Sequence, residues 1–365
     1  MIDLLERDFA RFFEAPFEAY GPDSPYVSPM RADLARFLST DNPLFANAQD
    51  FTYFTAMRGG RPIGRITAHL HRASDATYGE TRGNFGFFDC ADDSEAAQAL
   101  LDAAADWART KDATRLIGNF NLTAMQQAGV MTDGFDHAPY TDQIWSPPHL
   151  PGLLEGAGFT REFPMTTFEL TLSDAIPALP DQARQALLAE GFTFAPVTRA
   201  TIDQRMEDAR LILNRSFKDN PMFVPVSAEE FQFQAKDMKW IMDPRISKVV
   251  HYRGEPAGAV IAIPDLNPLL RRLGSRYRLS LPWHYLRYLR HRRRAVIIFQ
   301  GVMPEFQSRG VNPLILSEVL GAMRVAGYHS VGGTWIADVN RASLRQVEKT
   351  GARPLHRLHL FGSQL

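Results

Sequence analysis

At 365 residues, 45% hydrophobic and 22% charged, the chain is long enough for two ordinary domains and too apolar for a disordered protein. Its single cysteine, Cys90, excludes an internal disulfide and fits a reducing compartment. The net charge of −1 conceals an arginine island: Leu269 to Arg294 holds nine Arg and no acid, and +9 there within −1 leaves −10 on the rest.

The N-terminal MIDLLERDFARFF predicts an amphipathic helix with Leu4, Leu5, Phe9, Phe12 and Phe13 on its buried face. With acids and bases inside the pattern it does not read as a signal peptide, and no apolar run approaches the roughly 20 residues of a membrane span. GGRPIGRI, from Gly59, has the x-Pro-x-Gly pattern of a tight β-connection between two strands. His69 and His71 share a strand face without a third ligand, so no metal site is expected. The strand NFGFFD leads into CADDSEAAQAL, whose Asp92 and Asp93 would repel phosphate; Cys90 there reads as a core residue. An extended stretch, NFNLTAMQQAGVMTDGFDHAPYTDQIW, precedes a helix ending at Gly158. The segment from Asp174 to Phe192 predicts a linking strand and helix, which divides the chain into 1–180 and 181–365.

The second part repeats the first. RGEPAGAV at Arg253 matches GGRPIGRI, pairing Pro62 with Pro256 and Gly64 with Gly258 at an offset of 194. QVEKTGA at Gln346 matches LLEGAGF at Leu153, pairing Glu155 with Glu348 and Gly158 with Gly351 at an offset of 193. Two matches at nearly one offset predict a duplicated unit, and the order strand, loop, helix, strand, helix makes each unit α/β. The second unit carries a basic insertion at about 265–294, introduced by PDLN with Asp265 and Asn267. Within it Trp283, Leu286 and Leu289 fall at helical spacing beside Arg287, Arg290 and Arg294. With Arg271 and Arg272, this composition suits peripheral contact with an anionic membrane. The alternative is a solvated helix salt-bridged to the acidic body, which itself argues against nucleic acid.

The run Ala295 to Phe299 predicts a strand, and Leu314, Leu316, Val319, Leu320 and Met323 predict a helix. Between them lies GVMPEFQSRGVNP, a loop of hydrogen-bond donors at a helix mouth. Unpaired N–H groups and the positive end of the helix dipole attract phosphate there. Asn312 is placed as the N-cap and Pro313 as the first helical residue, and Gly310 permits close backbone approach. No Gly-Lys-Ser/Thr follows, which excludes the mononucleotide P-loop, and neither His-Glu-x-x-His nor Gly-x-Ser-x-Gly occurs.

This loop resembles the acyl-CoA loop of the GNAT superfamily of N-acyltransferases, with Gln307, Ser308, Arg309, Gly310 and Val311 fitting the pattern and Asn312 departing at its last place. A second block, WIADVNRASLRQVEKTGA, is similar to the family's fifth strand and following helix. The resemblance implies two tandem GNAT-like domains, each a mixed twisted sheet flanked by helices, of which the second binds acyl-CoA and the first does not. Acyl-CoA is then a co-substrate, and no covalent cofactor is expected. The loop amides would hold the CoA pyrophosphate, Val302 and Met303 would pair with the pantetheine arm, and Asn340 would contact that arm. The usual proton-donating Tyr is Val347 here, so the donor to the thiolate stays open. Asp265 is the candidate to accept the proton or orient the amine, with Glu305 as a second base and Asn340 as the third member of the expected catalytic set; the alternative for PDLN is a plain Asx turn.

EAYGPDSPYVSPMRADLARFLSTDNPLF, NRSFKDNPMFVPVSAEEF, IPDLNPLL and VMPEFQSRGV together resemble the bacterial ceramide synthase family. That resemblance implies transfer of a long acyl chain to the amine of a sphingoid base, 3-ketosphinganine, by a cytoplasmic protein held peripherally on the inner face of the membrane. Two alternatives stay open: a soluble GNAT acetylating a small amine or protein, and a non-catalytic shell that binds acyl-CoA or lipid.

Overall fold

Both x-Pro-x-Gly segments turn a hairpin through two left-handed residues, Gly59 and Gly60 in one, Arg253 and Gly254 in the other. Such turns match the right-handed twist of the strands that they join. The computed structural model that shows this describes residues 1–45, 47–173, 179–218, 220, 222–236 and 238–365.

The N-terminal half runs β1 (Asp3–Glu6), α1 (Phe9–Tyr20), α2 (Arg31–Phe37), β2 (Phe51–Arg58), β3 (Arg61–Leu70), α3 (Arg72–Tyr78), β4 (Arg82–Cys90), α4 (Ser94–Arg109), β5 (Arg115–Gly118), β6 (Val130–Asp133), α5 (Leu150–Gly156) and β7 (Thr160–Thr171). The C-terminal half follows with α6 (Asp181–Ala189), β8 (Phe192–Ala195), α7 (Ile202–Ser216), α8 (Ala228–Ala235), α9 (Met238–Ile241), β9 (Lys248–Tyr252) and β10 (Glu255–Pro264). It continues through α10 (Asn267–Leu273), α11 (Leu281–His291), β11 (Arg294–Val302), α12 (Val311–Val325), β12 (Ser330–Ala337), α13 (Arg341–Thr350) and β13 (Arg353–Gln364).

The repeat is structural down to its irregularities. β3 and β10 each carry a bulge that skips one residue between the paired Pro and Gly, Ile63 in one and Ala257 in the other. The glycine after each bulge lies under a helix. A Cβ would stand 2.9 Å from Leu100 of α4 at Gly64, and 2.7 Å from Ile315 of α12 at Gly258. Each copy also ends a helix at a left-handed glycine, Gly158 at φ +86 and Gly351 at φ +77, and then enters a 12-residue strand. Glycine adopts this conformation without the Cβ clash that other residues suffer.

Those two long strands are exchanged. One 13-stranded sheet runs β1-β2-β3-β4-β5-β13-β7-β12-β11-β10-β9-β8, with β6 also paired to β13. β13, the last strand of the second copy, thus pairs with β5 of the first, while β7 pairs with β12 of the second. Phe361 of β13 is buried in the N-terminal core with Leu100 and Leu116, and Leu170 of β7 is buried in the C-terminal core with Val319 and Val331.

Two expectations need correction or restriction. The N-terminal pattern is not one helix: residues 3–6 form an edge strand on β2, and α1 starts at Phe9 because the Asp8 side chain caps it through the Arg11 N–H. The expected linker opens at Asp174, and 174–178 lie outside the described residues; its later part is the helix α6 and the start of β8.

Candidate active site

β11 leaves the sheet through a short 3-10 turn, Pro304–Phe306, and the chain then crosses to α12 with Ser308 at φ +61 and Gly310 at φ +85. Alternating left-handed residues turn successive N–H groups toward one concavity, the geometry of an anion nest. The first helical hydrogen bond runs from the Leu314 N–H to the Gly310 carbonyl, 3.1 Å, so the amides before it point out of the helix end. Gly310, not Asn312, is therefore the N-cap, and Val311 and Asn312 already lie in the helix. The Asn312 side chain instead accepts from Gln300 Nε2 at 2.7 Å and donates to Gln346. Gln307 anchors the loop by donating to the Val302 carbonyl, and Arg309 pairs with Glu190 at 2.7 Å.

Beside this loop the sheet opens. β11 and β12 run parallel and pair only from Arg294 and Ser330 to Ile297 and Gly333. A bulge then leaves Ile298 out of register with β10. Past that point a cavity of about 230 Å³ separates the strands, lined by Ile298, Phe299 and Gln300 on one side and Thr334 and Trp335 on the other. Asn312 and Leu316 of α12, Asn340 and Val347 of α13, and Phe168 of the exchanged β7 complete its wall. The open edge of β11 is thus Ile298 to Gln300. Val302 and Met303, expected there, are buried and do not line the cavity. Asn340 borders the cavity while its side chain caps α13 by accepting from Ser343 N–H.

A second cavity of about 320 Å³ lies between the halves, with Val27 and Phe87 on one wall and Ala209, Leu213, Ile261 and Leu270 on the other. Both cavities are bordered by Met125, Gln126, Asp142, Ile298 and Phe299, so they adjoin across the bulge in β11.

The corresponding wedge in the first half is filled by its own chain. Asn119 and Asn121 accept, through Oδ1, the N–H groups of Phe88 and Phe87 at 3.0 and 2.8 Å, and the Phe120 N–H donates to Phe85. A Cβ at Gly86 would lie 1.7 Å from the Phe120 carbonyl oxygen. The mouth of α4 holds Asp93, which accepts from Ala96 N–H and pairs with Arg58 at 2.8 Å. Burial pushes this carboxyl up, but the Ala96 N–H and Arg58 outweigh that and hold it below the usual carboxylate range. A fixed carboxylate where the second half has an open nest leaves no place for a phosphate.

The structure separates the three expected catalytic residues. Glu305 pairs with Arg215 on the exposed side of the loop and borders neither cavity. Asp265 is 2% exposed and also borders neither. Its Oδ1 accepts from the Thr141 N–H and hydroxyl, 3.0 Å each, and from the Asn267 N–H, while Oδ2 faces Arg294 at 3.3 Å. Burial raises its carboxyl, against the pull of Arg294 and these donors. The neighbouring Asp142, which sequence reasoning passed over, is the acid that reaches the site. It borders both cavities on a left-handed backbone, φ +67. Burial alone pushes its carboxyl up to about 7. The only sequence signal was its place in the extended stretch peculiar to the first copy.

Among the arginines expected at a membrane, Arg294 is turned inward, against Asp265 and 3.7 Å from the Tyr140 ring centroid. Arg271, Arg272, Arg287 and Arg290 are exposed, as is Trp283 at 68% and Leu286 at 60%, while Tyr288 and Leu289 hold α11 against α10. Part of the island is salt-bridged to the acidic body, Arg276 to Glu14 and Arg292 to Asp243. Among the described residues, no helix is long and apolar enough to cross a membrane.

A parallel strand pair splayed by a bulge, a helix-mouth nest beside it and the whole repeated in tandem define the class: the chain has the tandem GNAT fold. A solved tandem GNAT protein from the clavulanic acid biosynthesis pathway superposes with a TM-score of 0.60 at 15% identity, covering 100% of this chain and 98% of that one. Among curated proteins, the chain is 26% identical to the bacterial ceramide synthase of Caulobacter vibrioides, over 94% of this chain and 91% of that protein. It is 25% identical to protein YghO of Escherichia coli, over 99% and 94%. No protein-family model matches the sequence.

Proposed function

We propose that the protein is an acyl-CoA-dependent N-acyltransferase that moves a long-chain acyl group to the amine of a sphingoid base, 3-ketosphinganine, and forms a ceramide. The observation that carries this reading is the pair of apolar cavities that meet at Ile298 and Phe299. A GNAT that acetylates a small polar amine has no use for two adjoining apolar chambers, whereas two aliphatic chains whose head groups must meet do. The cavity between β11 and β12 takes the thioester arm, with the nest at Ser308 to Val311 on its phosphates. The cavity between the halves takes the tail of the amine.

The relative named bacterial ceramide synthase supports a ceramide as the product. A carbonyl beside the amine lowers the amine's basicity, so a mild base suffices. The exposed Trp283, Leu286, Arg287 and Arg290 dock the protein on the anionic inner face of the cytoplasmic membrane, where both substrates reside. The test incubates purified protein with 3-ketosphinganine and either palmitoyl-CoA or acetyl-CoA, following free thiol and lipid mass. Thiol release with an N-palmitoylated product is expected. Release with acetyl-CoA alone would discard the lipid reading.

A further inference from the structure

We infer that Asp142, contributed by the N-terminal copy, is the proton acceptor of acyl transfer in the site that the C-terminal copy builds; this rests on the acyltransferase reading above. Asp142 is the only ionisable side chain that borders either cavity, among the described residues, and it borders both. Among the described residues no hydrogen bond or ion pair ties its carboxylate to the chain, whereas one oxygen of Asp265 accepts three hydrogen bonds and the other faces Arg294.

The backbone is built to present it. Asp265 holds Thr141 immediately before it. Gln143 immediately after it donates to the Gly333 carbonyl at 2.7 Å, and its Oε1 accepts from Tyr140 N–H at 2.9 Å. Tyr140 lies flat on β12, where a Cβ at Gly332 would stand 2.7 Å from the ring, and its hydroxyl bonds Glu169 and Ser330. Anchors on both sides keep the intervening residue left-handed, a conformation that Asp tolerates but does not favour.

In the step, the acceptor's nitrogen attacks the thioester carbonyl carbon, the C–N bond forms, and the carboxylate of Asp142 takes the proton released from nitrogen. The C–S bond then breaks with its electron pair going to sulfur. Because Asp142 also borders the thioester cavity, the same carboxyl returns that proton to the thiolate. One group thereby covers the role that Val347 leaves without a tyrosine. The products are the amide and the free thiol, with no other reactant.

The charges on the surrounding elements are already compensated. Asp265 faces Arg294, Glu169 faces Arg353, and His356, bonded to the His137 carbonyl, is held toward its neutral form by burial. Burial alone sets Asp142 near 7, where a base is about half ready at neutral pH.

The experiment compares wild type, Asp142→Asn and Asp142→Glu for amide formation between pH 5.5 and 8.5, with palmitoyl-CoA affinity measured on each by calorimetry. The wild-type rate is expected to fall on the acid side of about 7, following the carboxyl. Asp142→Asn should lose about 10²-fold or more in kcat and the acid limb with it, while palmitoyl-CoA affinity stays within about twofold. Asp142→Glu should recover part of the rate with a displaced limb. An Asn variant that keeps both rate and limb overturns the inference alone. A wild type that releases no thiol with any long-chain amine overturns the acyltransferase reading, and the inference falls with it.

Discussion

Asp265 and Thr141, 124 positions apart in the chain, are joined twice: one carboxylate oxygen accepts both the amide and the hydroxyl of Thr141, at 3.0 Å each. Through this contact the end of β10 in the second copy sets the backbone of a loop from the first. The acid expected to perform chemistry thus holds in place the neighbour of the acid that faces the cavities.

Replacing Asp265 by Ala leaves three donors without their acceptor and Arg294 without its partner. Urea unfolding should show a loss of about 3–5 kcal/mol, the usual result of breaking a buried pair from one side. Asp265→Asn, which keeps an acceptor, should lose markedly less. Equal stability of the two variants would show that the hydrogen bonds to Thr141 contribute nothing.

Gly310 sits at φ +85 with Leu187 Cδ1 3.6 Å from where a Cβ would be. Gly310→Val forces a β-branched residue into a left-handed conformation and pushes a side chain toward the nest. Calorimetry should find CoA affinity reduced by at least about tenfold, or 1.4 kcal/mol. Circular dichroism should be unchanged. Retained affinity would move the phosphates elsewhere.

The exchanged strands predict that neither half folds alone. Without β13, residues 1–180 expose the edge of β5 and lose Phe361 from their core; without β7, residues 181–365 expose β12 and lose Leu170. Open apolar edges pair with other chains. Each half expressed singly should aggregate, and co-expression should give a soluble complex. A monomeric half with cooperative unfolding would contradict this.

Ala209 is buried on the wall of the cavity between the halves. Ala209→Phe should fill much of it and lower kcat/KM for a long-chain amine by about tenfold or more, the scale of a blocked apolar site. Palmitoyl-CoA affinity should be unaffected if the thioester occupies the other cavity. The opposite pattern would exchange the two assignments.

Arg287→Glu with Arg290→Glu reverses the exposed charge of α11, at roughly 1 kcal/mol of membrane affinity per arginine removed. Flotation with phosphatidylglycerol vesicles should be lost, while turnover on detergent-dispersed substrate persists, because neither arginine borders a cavity. Flotation that survives would mark the island as a salt-bridged face.

The duplication was legible because local chemistry repeats wherever the backbone makes the same demand. A left-handed helix end wants Gly158 and Gly351, and close helix–strand approach wants Gly64 and Gly258. The loop at the helix mouth was legible for the same reason, although its helix starts two residues earlier than the Asn-Pro signal suggested, since glycine at φ +85 ends the turn first. Leu4 and Leu5 misled because their spacing to Phe9, Phe12 and Phe13 fits a helical count, although as neighbours in a short edge strand they point to opposite faces.

What sequence alone determined, then, was the pair of α/β units, the open helix mouth in one and the acidic helix mouth in the other. The exchange of β7 and β13, the filling of the first wedge by Asn119 and Asn121, and which of Asp265 and Asp142 borders the cavities were decided by the tertiary structure. The physical reason is that these depend on strand pairing and burial between residues more than a hundred positions apart. Two aspartates with the same local chemistry differ only in whether the fold surrounds their carboxylates with donors or leaves them facing a cavity.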